Sequence, residues 1–336
     1  MADRLSEMRI VTLVHSRFFG WRSLGHILRR HRLLSILLRQ CANHKIDLIH
    51  CSYPWYSQYG LCMATQLKCP CVIHARSPLP VAKVKKSCFE RADNIVAVSA
   101  RIRKDLINAG ISPDKITLIV DSVDTDLFGP HALKRQHFSR NGELVIGLVG
   151  RIEPAKHQME FVHAAGLLAA RNNKVKFAIV GQERDAVYTQ QLKNYIQNFG
   201  LCDRITLFGR SENMPEILNG FDILVSLSGG SVMYEAMACG IPVLSAGFTN
   251  KEDSVYVIDG YNAMLLDNRE PSSIAVALEK LLTDGAYRQS LANNTRSHVM
   301  QHLSGRIMAA QTQTLYERLL NRYQTVLPNK GNRTHE

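Results

Sequence analysis

The amino-acid sequence predicts an α/β protein built from two doubly wound parallel-sheet domains that face a cleft. Short apolar runs of strand length alternate with helical segments along most of the 336 residues, which is the pattern of repeated βαβ units. The length favours two domains of roughly 150 residues each. A polar, basic stretch between Phe128 and Gly142 interrupts the alternation and is typical of an interdomain linker. Two Rossmann-like halves joined in this way are expected to bind a ligand between them.

The first half begins with a short apolar run at Arg9–Val14, which predicts a strand. A helix with apolar and basic faces follows within Arg17–Arg39. This helix can lie on an anionic membrane surface or be a domain helix with a wetted basic side, and both interpretations stay open. Further strands are predicted at Lys45–His50, Pro70–His74, Asn94–Ser99 and Ile116–Val120, and helices at Tyr53–Gln66 and Arg101–Ala109.

The second half repeats the alternation from the strand Leu144–Gly150 onward. Strands are predicted at Val175–Val180, Ile205–Phe208, Ile223–Leu227, Val243–Ala246 and Ala263–Leu266, and helices at Lys156–Arg171, Thr189–Phe199, Pro215–Gly220, Val232–Cys239, Ser272–Thr283, Tyr287–His302 and Arg306–Tyr323. We therefore predict an N-terminal domain over residues 1–140 and a C-terminal domain over residues 141–305. A last helix over residues 306–326 can cross back to the first domain, and residues 327–336 form a disordered tail.

Composition and charge narrow the functional class. Residues 1–140 contain 22 Lys or Arg and 10 Asp or Glu, a net charge of +12, whereas the remaining residues contain 19 of each. This asymmetry indicates a polyanionic partner such as anionic lipid headgroups or an anionic acceptor, although a solvated basic face explains it as well. Nucleic acid is not expected as a partner, because the basic half lacks interleaved aromatic residues or a known binding module.

The cysteines and the apolar runs indicate a cytoplasmic protein. The eight cysteines follow no recognisable secretion signal, which suggests reduced thiols. Cys69 and Cys71 have no second pair that would complete a zinc site, so no metal is expected. No apolar run reaches the 18 residues of a membrane span.

The most informative stretch is Asp222–Pro242, in which a strand leads through a small-residue turn into a helix. Gly230, Ser231 and Val232 lie at the start of that helix, where unpaired N–H groups and the helix dipole favour an anion such as phosphate. Glu235 is an isolated carboxylate among apolar residues one turn later. A capping or salt-bridging role explains Glu235 as well as a ligand-binding role does, since buried charges are rare unless paired or functional.

A second informative turn ends the strand at Gly150 and is followed by Arg151 and Lys156. It lacks the third glycine of a dinucleotide fingerprint, which argues against a nicotinamide-dependent enzyme. The planar fork of Arg151 and the mobile charge of Lys156 suit phosphate oxygens. With amides at the helix start, they can stabilise a pyrophosphate leaving group without a metal.

These segments together resemble family 4 glycosyltransferases, which are retaining enzymes of the GT-B fold that use nucleotide-sugar donors. The resemblance covers residues from about 40 to 285 and rests on the order and spacing of several motifs: VGRIEPAK (Val149–Lys156), AIVG (Ala178–Gly181), GLCDRITLFG (Gly200–Gly209), MPE (Met214–Glu216), FD (Phe221–Asp222), EAMACGIP (Glu235–Pro242), DGYNAMLL (Asp259–Leu266), RADNIVAVS (Arg91–Ser99) and VDTDLF (Val123–Phe128).

The resemblance implies roles for several residues. Arg151 and Lys156 would hold the donor diphosphate, and Glu235 would accept hydrogen bonds from the ribose hydroxyls. Gly209 and Arg210 would lie beside the base. His74, Arg76 and Ser77, which follow one strand of the first half, would lie on the acceptor side.

The resemblance also implies a function and a location. The chain would be a hexosyltransferase that acts on a lipid-linked or polysaccharide acceptor, as in polysaccharide or lipopolysaccharide biosynthesis. The charged side chains and amides at the phosphate site predict that no cofactor or metal is needed, and the net charge of +12 on residues 1–140 predicts peripheral association with the inner face of the membrane.

The chain departs from the family pattern at several positions. The family carries a second glutamate that touches the donor sugar, eight positions before the ribose glutamate, and this chain has Leu227 there. The loop before Glu235 is about four residues shorter than usual. Arg76 stands where many members have a histidine, and Asp121-Ser122 replaces Asn-Gly. The opening strand, glycine-rich turn and first helix of the family are not found, so either the first domain is naturally shortened or the chain starts late in a longer reading frame.

Two other functions fit parts of the sequence. A non-catalytic nucleotide-sugar-binding subunit would explain the absent glutamate and the shortened first domain. A nucleotide-sugar 2-epimerase has the same fold but needs acid–base residues in the cleft, for which the first half offers only His15, His50 and His74 near strand ends.

Overall fold

The structure, a computed structural model, describes residues 27–42, 44–130, 138, 142–171, 174–248 and 254–326. It divides into two compact units. The first contains the described residues up to Ile119 together with those from Thr312 onward, and the second is Val120–Gln311. The predicted strand Arg9–Val14, the start of the predicted basic helix, most of the linker and the tail 327–336 lie outside the described residues.

The first unit contains a four-stranded parallel sheet in the order β1-β2-β3-β4. Its elements are β1 (Ile49–Cys51), β2 (Cys71–Ala75), β3 (Asn94–Ala97), β4 (Ile116–Leu118), α1 (Ile27–Cys41), α2 (Ser57–Leu67), α3 (Val81–Lys86) and α4 (Ala100–Asn108). The strands β2 and β3 are almost wholly buried. This burial explains why they read as continuous apolar runs rather than alternating ones.

The packing of helix α1 decides whether the described part of the amphipathic segment is a membrane-surface helix or a helix of the domain. Leu33, Leu34 and Leu37 are buried and belong to a core cluster with Tyr59 and Met63 of α2. The apolar side of α1 is therefore filled within its own unit. In residues 31–41, the segment is a domain helix with a wetted polar side.

The second unit contains a six-stranded parallel sheet in the order β10-β9-β8-β5-β6-β7. Its elements are β5 (Leu144–Val149), β6 (Val175–Val180), β7 (Ile205–Phe208), β8 (Ile223–Ser226), β9 (Val243–Ser245), β10 (Met264–Leu265), α5 (Gln158–Ala169), α6 (Ala186–Asn198), α7 (Met214–Asn219), α8 (Ser231–Ala238), α9 (Pro271–Thr283) and α10 (Gly285–His302).

Helices cover both faces of this second sheet. Along β5, Ile146 and Leu148 belong to a cluster that includes α5, α6 and α9, whereas Val145 belongs to a cluster that includes α7 and α8. This alternation follows from the two-residue period of a strand. The prediction of doubly wound parallel-sheet domains is thus confirmed.

An aspartate aligns neighbouring strands at the start of each sheet. Asp93 Oδ2 accepts a hydrogen bond from the backbone N–H of Cys71 at 2.8 Å, and Asp222 Oδ2 accepts one from Val145 N–H at 2.9 Å. Both carboxylates are at the amino ends of their strands. Asp222, although part of a motif shared with the family, has a structural role here.

The last helix, α11 (Gly305–Val326), contributes to both units along the chain. In the first unit, Leu315 and Leu319 are buried, and Arg318 Nη2 donates to Thr117 Oγ1 at 3.2 Å. Among the described residues, no helix combines the length and apolar character that crossing a bilayer requires.

Candidate functional site

The candidate site lies at the carboxyl edge of the second sheet, around the turn that connects β8 to α8. Ligands of open parallel sheets bind at this edge. Gly229 has φ of +69° and Gly230 has φ of +118°. Both values lie in the region that L side chains avoid, so the Gly-Gly pair of the sequence is what permits this turn.

The loop after β9 packs tightly against the turn. A Cβ added to Gly247 would lie 2.1 Å from the backbone N of Gly229. Ser245 Oγ donates to Ser226 O at 2.9 Å and accepts from Gly247 N–H at 3.1 Å. These contacts hold the turn in one position, as a site for a fixed ligand requires.

The start of α8 has no side-chain cap. Gly230 is the N-cap residue, and glycine has no side chain that could accept a hydrogen bond from the first-turn amides. Ser231 and Val232 are the first helical residues, exposed and half-buried respectively. The positive end of the helix dipole and the first amides thus remain available to an anion, as the sequence predicts.

Lys156 reaches this turn from the loop after β5. Its Nζ donates to Ser228 Oγ at 3.2 Å, and its alkyl chain lies against Gly150, where an added Cβ would be 3.4 Å from Lys156 Cδ. Lys156, Gly150 and the turn are therefore together. This places an ammonium group beside the helix start, and a phosphate there would meet both.

Arg151 is held differently. Its Nη2 forms an ion pair with Glu153 Oε1 at 2.9 Å, with 58% of its side chain exposed. Its backbone carbonyl accepts from Nε2 of the fully buried Gln158 at 2.8 Å. No described contact joins the guanidinium to Lys156 or to the turn. Its role at the diphosphate stays a prediction, and it would require exchange of the Glu153 carboxylate for phosphate.

Glu235 is half-buried one turn into α8. Burial raises the pKa of its carboxyl, and a hydrogen bond with Ser231 opposes this shift. A carboxylate can accept up to about four hydrogen bonds. The desolvated Glu235 group therefore has capacity for ligand hydroxyls, which would stabilise its charged form.

Gly209 and Arg210 are exposed at the carboxyl end of β7. Strand β7 is an edge strand, separated from β8 by β5 and β6. Three strand spacings amount to about 14 Å. Arg210 thus lies on the same edge of the sheet as the turn, and no described contact joins it to Lys156 or Glu235.

Two further residues near the turn were not identified as contacts from the sequence. Leu227 is buried, and its carbonyl accepts from Arg269 Nε at 2.7 Å. Arg269 follows β10, so its side chain spans the carboxyl end of β9. In the sequence DNREP, Arg269 is predicted to be a loop residue, and no neighbouring residue indicates its hydrogen bond to Leu227.

The first unit has its own polar cluster at the carboxyl end of β1 and β2. His50 Nδ1 lies 2.5 Å from Tyr316 Oη, and His50 Nε2 lies 3.2 Å from His74 Nδ1. Burial is the main cause that lowers the pKa of both histidines to about 4, and the nearby Arg76 guanidinium lowers it further. Burial raises the pKa of Tyr316 to about 12. All three groups are therefore neutral near neutral pH.

A consistent hydrogen-bond assignment for this cluster has the Tyr316 hydroxyl donate to His50, and His50 Nε2–H donate to His74 Nδ1. His74 Nε2 then carries a proton and has no partner among the described atoms. Sequence reasoning singled out His74 but missed Tyr316, which is 266 residues from His50 in the chain. Arg76 and Ser77, the other predicted acceptor-side residues, are exposed after β2.

Two family models match the chain. The model of glycosyl transferases group 1 matches residues 131–298, half of the chain, and that of glycosyltransferase family 4 matches residues 2–127. Among curated relatives, D-inositol 3-phosphate glycosyltransferase of Stackebrandtia nassauensis is 28% identical over 214 residues, which are 59% of this chain and 47% of that protein. The capsular polysaccharide biosynthesis glycosyltransferase CapM of Staphylococcus aureus is 23% identical over 247 residues, 68% of this chain and 62% of that protein. The chain thus spans about half to two-thirds of the length of these relatives.

A solved structure with a similar fold is that of Anabaena Alr3699/HepE. Its complex with UDP superposes with a TM-score of 0.76 at 20% identity, covering 86% of this chain and 82% of that one. Its complex with UDP-glucose gives a TM-score of 0.72 at 21% identity, covering 85% and 82%.

Proposed function

This chain belongs to the group 1 (family 4) glycosyl transferases, with the GT-B fold, and from that premise we propose that it transfers a hexosyl group from a nucleotide-sugar donor to a lipid-linked or polysaccharide acceptor. One observation carries the proposal. Lys156 contacts Ser228 in the glycine turn that leads into α8, and Glu235 lies one turn into that helix. This arrangement supports a site for a nucleoside diphosphate, which would place its phosphates between Lys156 and the first amides of α8.

The chemistry follows from the charge that develops as the donor reacts. Breaking the glycosidic bond leaves negative charge on the diphosphate, which the Lys156 ammonium group and the amides of Ser231 and Val232 would stabilise. Glu235 would accept hydrogen bonds from the ribose hydroxyls and fix the orientation of the donor. Arg151, once released from Glu153, would add a planar fork to the same phosphates.

We expect this transfer to need no metal, because Lys156, the start of α8 and, once released from Glu153, Arg151 would supply the positive charge that the leaving group needs. Retention of configuration is expected from the family. His74, Arg76 and Ser77 at the carboxyl end of β2 would line the acceptor side. The net charge of +12 on residues 1–140 favours an anionic acceptor and peripheral association with the inner face of the membrane.

A non-catalytic nucleotide-sugar-binding subunit is the second candidate, and Leu227 is the observation that favours it. Leu227 stands at the position of the second glutamate, and its side chain is buried in the core of the second unit. No carboxylate at that position can therefore orient the donor sugar. Such a subunit would bind the donor without turning it over.

A panel of UDP-, GDP- and ADP-sugars, with nucleotide release followed in the presence of candidate acceptors and with or without EDTA, tests the proposal. We expect release with one donor, unaffected by EDTA, and a loss of about 10²-fold in the Glu235→Ala and Arg151→Ala variants. Arg171→Ala and Glu279→Ala, which remove an exposed ion pair away from the turn, are the matched controls. Unchanged release in the Glu235 and Arg151 variants would refute the assignment, and donor binding without turnover would favour the subunit.

A further inference from the structure

The first unit carries an exposed group of aromatic and aliphatic side chains that neither the fold nor the donor site uses. Trp55 is 57% exposed, Tyr53 48% and Val81 46%. Lys83 Nζ lies 5.1 Å from the centre of the Trp55 ring, a cation–π distance. Lys85 and Lys86 of α3 are exposed beside it. We call these six residues the Trp55 face.

The two segments that form the Trp55 face are tied together. Gln58 Nε2 donates to Lys86 O at 2.6 Å, and Ser57 Oγ donates to Ser87 O at 3.0 Å. Pro54 and Val84 are buried and anchor the two segments to the unit. The exposed side chains are therefore presented by a fixed support rather than by two independent loops.

The charge around the Trp55 face has one sign. Residues 51–89 contain five Lys or Arg and no Asp or Glu. Three of these basic residues are in α3. A solvated basic face would explain the lysines alone, but it would not explain why Trp55, Tyr53 and Val81 are exposed among them.

This combination matches the chemistry of an anionic bilayer surface. Tryptophan and tyrosine favour the level of the headgroups, and lysines are attracted to anionic lipids. The apolar side of α1, the other candidate for membrane contact, already packs on Tyr59 and Met63. We propose that the Trp55 face docks the first unit onto an anionic bilayer, with Trp55 inserted at the headgroup level and the lysines of α3 on anionic lipid phosphates.

The location of this face relates it to the acceptor. Its two segments follow the carboxyl ends of β1 and β2, the same edge at which His74 and Arg76 lie. A lipid-linked acceptor held in the docked bilayer would be presented at that edge. The docking assigns a surface to the peripheral association proposed above, and the presentation of the acceptor rests on the proposed transfer reaction.

Tryptophan fluorescence can follow the docking directly, because the chain has only two tryptophans, Trp21 and Trp55. Trp21→Phe leaves Trp55 as the sole reporter. With phosphatidylglycerol vesicles we expect a blue shift, quenching by brominated lipid and co-sedimentation. With phosphatidylcholine vesicles or a soluble polyanion such as polyphosphate we expect neither shift nor quenching. Equal responses to neutral and anionic vesicles, or a response to polyphosphate alone, would overturn the proposal.

Variants can distinguish vesicle binding through the Trp55 face from an effect of net charge alone. Lys83→Gln/Lys85→Gln/Lys86→Gln should weaken vesicle binding roughly 10²-fold, at about fivefold for each lysine near an anionic surface. Arg103→Gln/Lys104→Gln/Arg322→Gln removes the same charge from exposed positions outside the face and should have a much smaller effect. Trp55→Ser, which keeps every charge, should weaken binding in the co-sedimentation assay. Equal losses in the two triple variants, or no loss for Trp55→Ser, would contradict docking through this face.

Nucleotide binding on the same proteins keeps the two proposals distinguishable. The lysine triple variant should bind a nucleoside diphosphate like the parent, since the turn before α8 is in the second unit. In the parent protein, vesicle binding without nucleotide binding would refute only the donor site. In the parent protein, nucleotide binding without vesicle binding would refute only the Trp55 face.

Discussion

Substitution of Gly247 by alanine tests how closely the loop after β9 sets the position of the glycine turn. The added Cβ would lie 2.1 Å from Gly229 N and 2.5 Å from Gly229 Cα, both backbone atoms. To reach the 3.4 Å at which ordinary contact begins, the turn would have to retreat by about 1.3 Å. A misplacement of about 1 Å at a binding constellation can reduce turnover on the order of 10²-fold. We expect a loss of this size in donor turnover and weaker nucleoside diphosphate binding by calorimetry.

The same substitution should also reduce stability. Overpacking costs about 1–3 kcal/mol, which for a domain of this size lowers the melting temperature by roughly 2–12 °C. Gly147→Ala is a control matched for stability, because its Cβ would lie 2.2 Å from the Phe221 ring and away from the turn. Gly305→Ala meets no atom within 4 Å and should change neither property. If Gly247→Ala binds nucleotide as tightly as Gly147→Ala, the turn is not the diphosphate site.

Three further predictions concern titration and the support of the turn. Because burial raises the folded-state pKa of Glu235, ionisation of this carboxyl opposes folding as pH rises above the ordinary carboxyl pKa. Glu235→Gln should therefore raise the melting temperature more at about pH 7 than at about pH 4. An equal change at both pH values would contradict this. Burial lowers the pKa of His50 and His74 to about 4, so their contribution to stability is retained above their ordinary pKa of 6.5 and lost as pH falls toward 4. Urea unfolding of the first unit should therefore show a loss in the free energy of unfolding on the order of 2 kcal/mol per histidine between about pH 7 and pH 5. His74→Gln should reduce that pH dependence. Arg269→Ala removes the donor to the Leu227 carbonyl, so nucleotide affinity should fall severalfold with little change in the melting temperature, and an unchanged affinity would mean that this bond does not support the turn.

The strands were predictable because burial between two helical layers leaves a clear pattern in the sequence. Val175–Val180 and Ile205–Phe208 have the bounds expected from their apolar runs, and each is followed directly by a glycine. Helix starts were less predictable. The helix expected from Lys156 begins at Gln158, because Pro154–Lys156 forms a 3-10 turn and His157 takes a left-handed φ of +61°.

The donor-site residues were predictable in part. Residues at a helix start and at a strand end carry local signals, and the structure does bring Lys156 to the turn through Ser228. The sequence did not indicate that Glu153 holds Arg151. An ion pair between residues two positions apart depends on backbone conformation, which periodicity does not report.

Long-range contacts were not predictable from the sequence alone. The proximity of His50 and Tyr316 depends on the last helix packing in the first unit, and no local pattern encodes it. The clash that makes Gly247 necessary likewise depends on how two loops meet. Pairwise geometry of this kind requires coordinates.

The most direct test of the donor site is the preference of the chain for a nucleoside diphosphate over the monophosphate. Calorimetry with UDP, GDP and ADP, each paired with its monophosphate, should find one base for which the diphosphate binds at least tenfold more tightly, since a charge-assisted hydrogen bond contributes about 1.5–3 kcal/mol. Lys156→Met should abolish most of that preference while leaving the monophosphate affinity nearly unchanged. Equal affinity for both nucleotides in the parent, or a preference that survives Lys156→Met, would contradict the placement of the diphosphate between Lys156 and the start of α8.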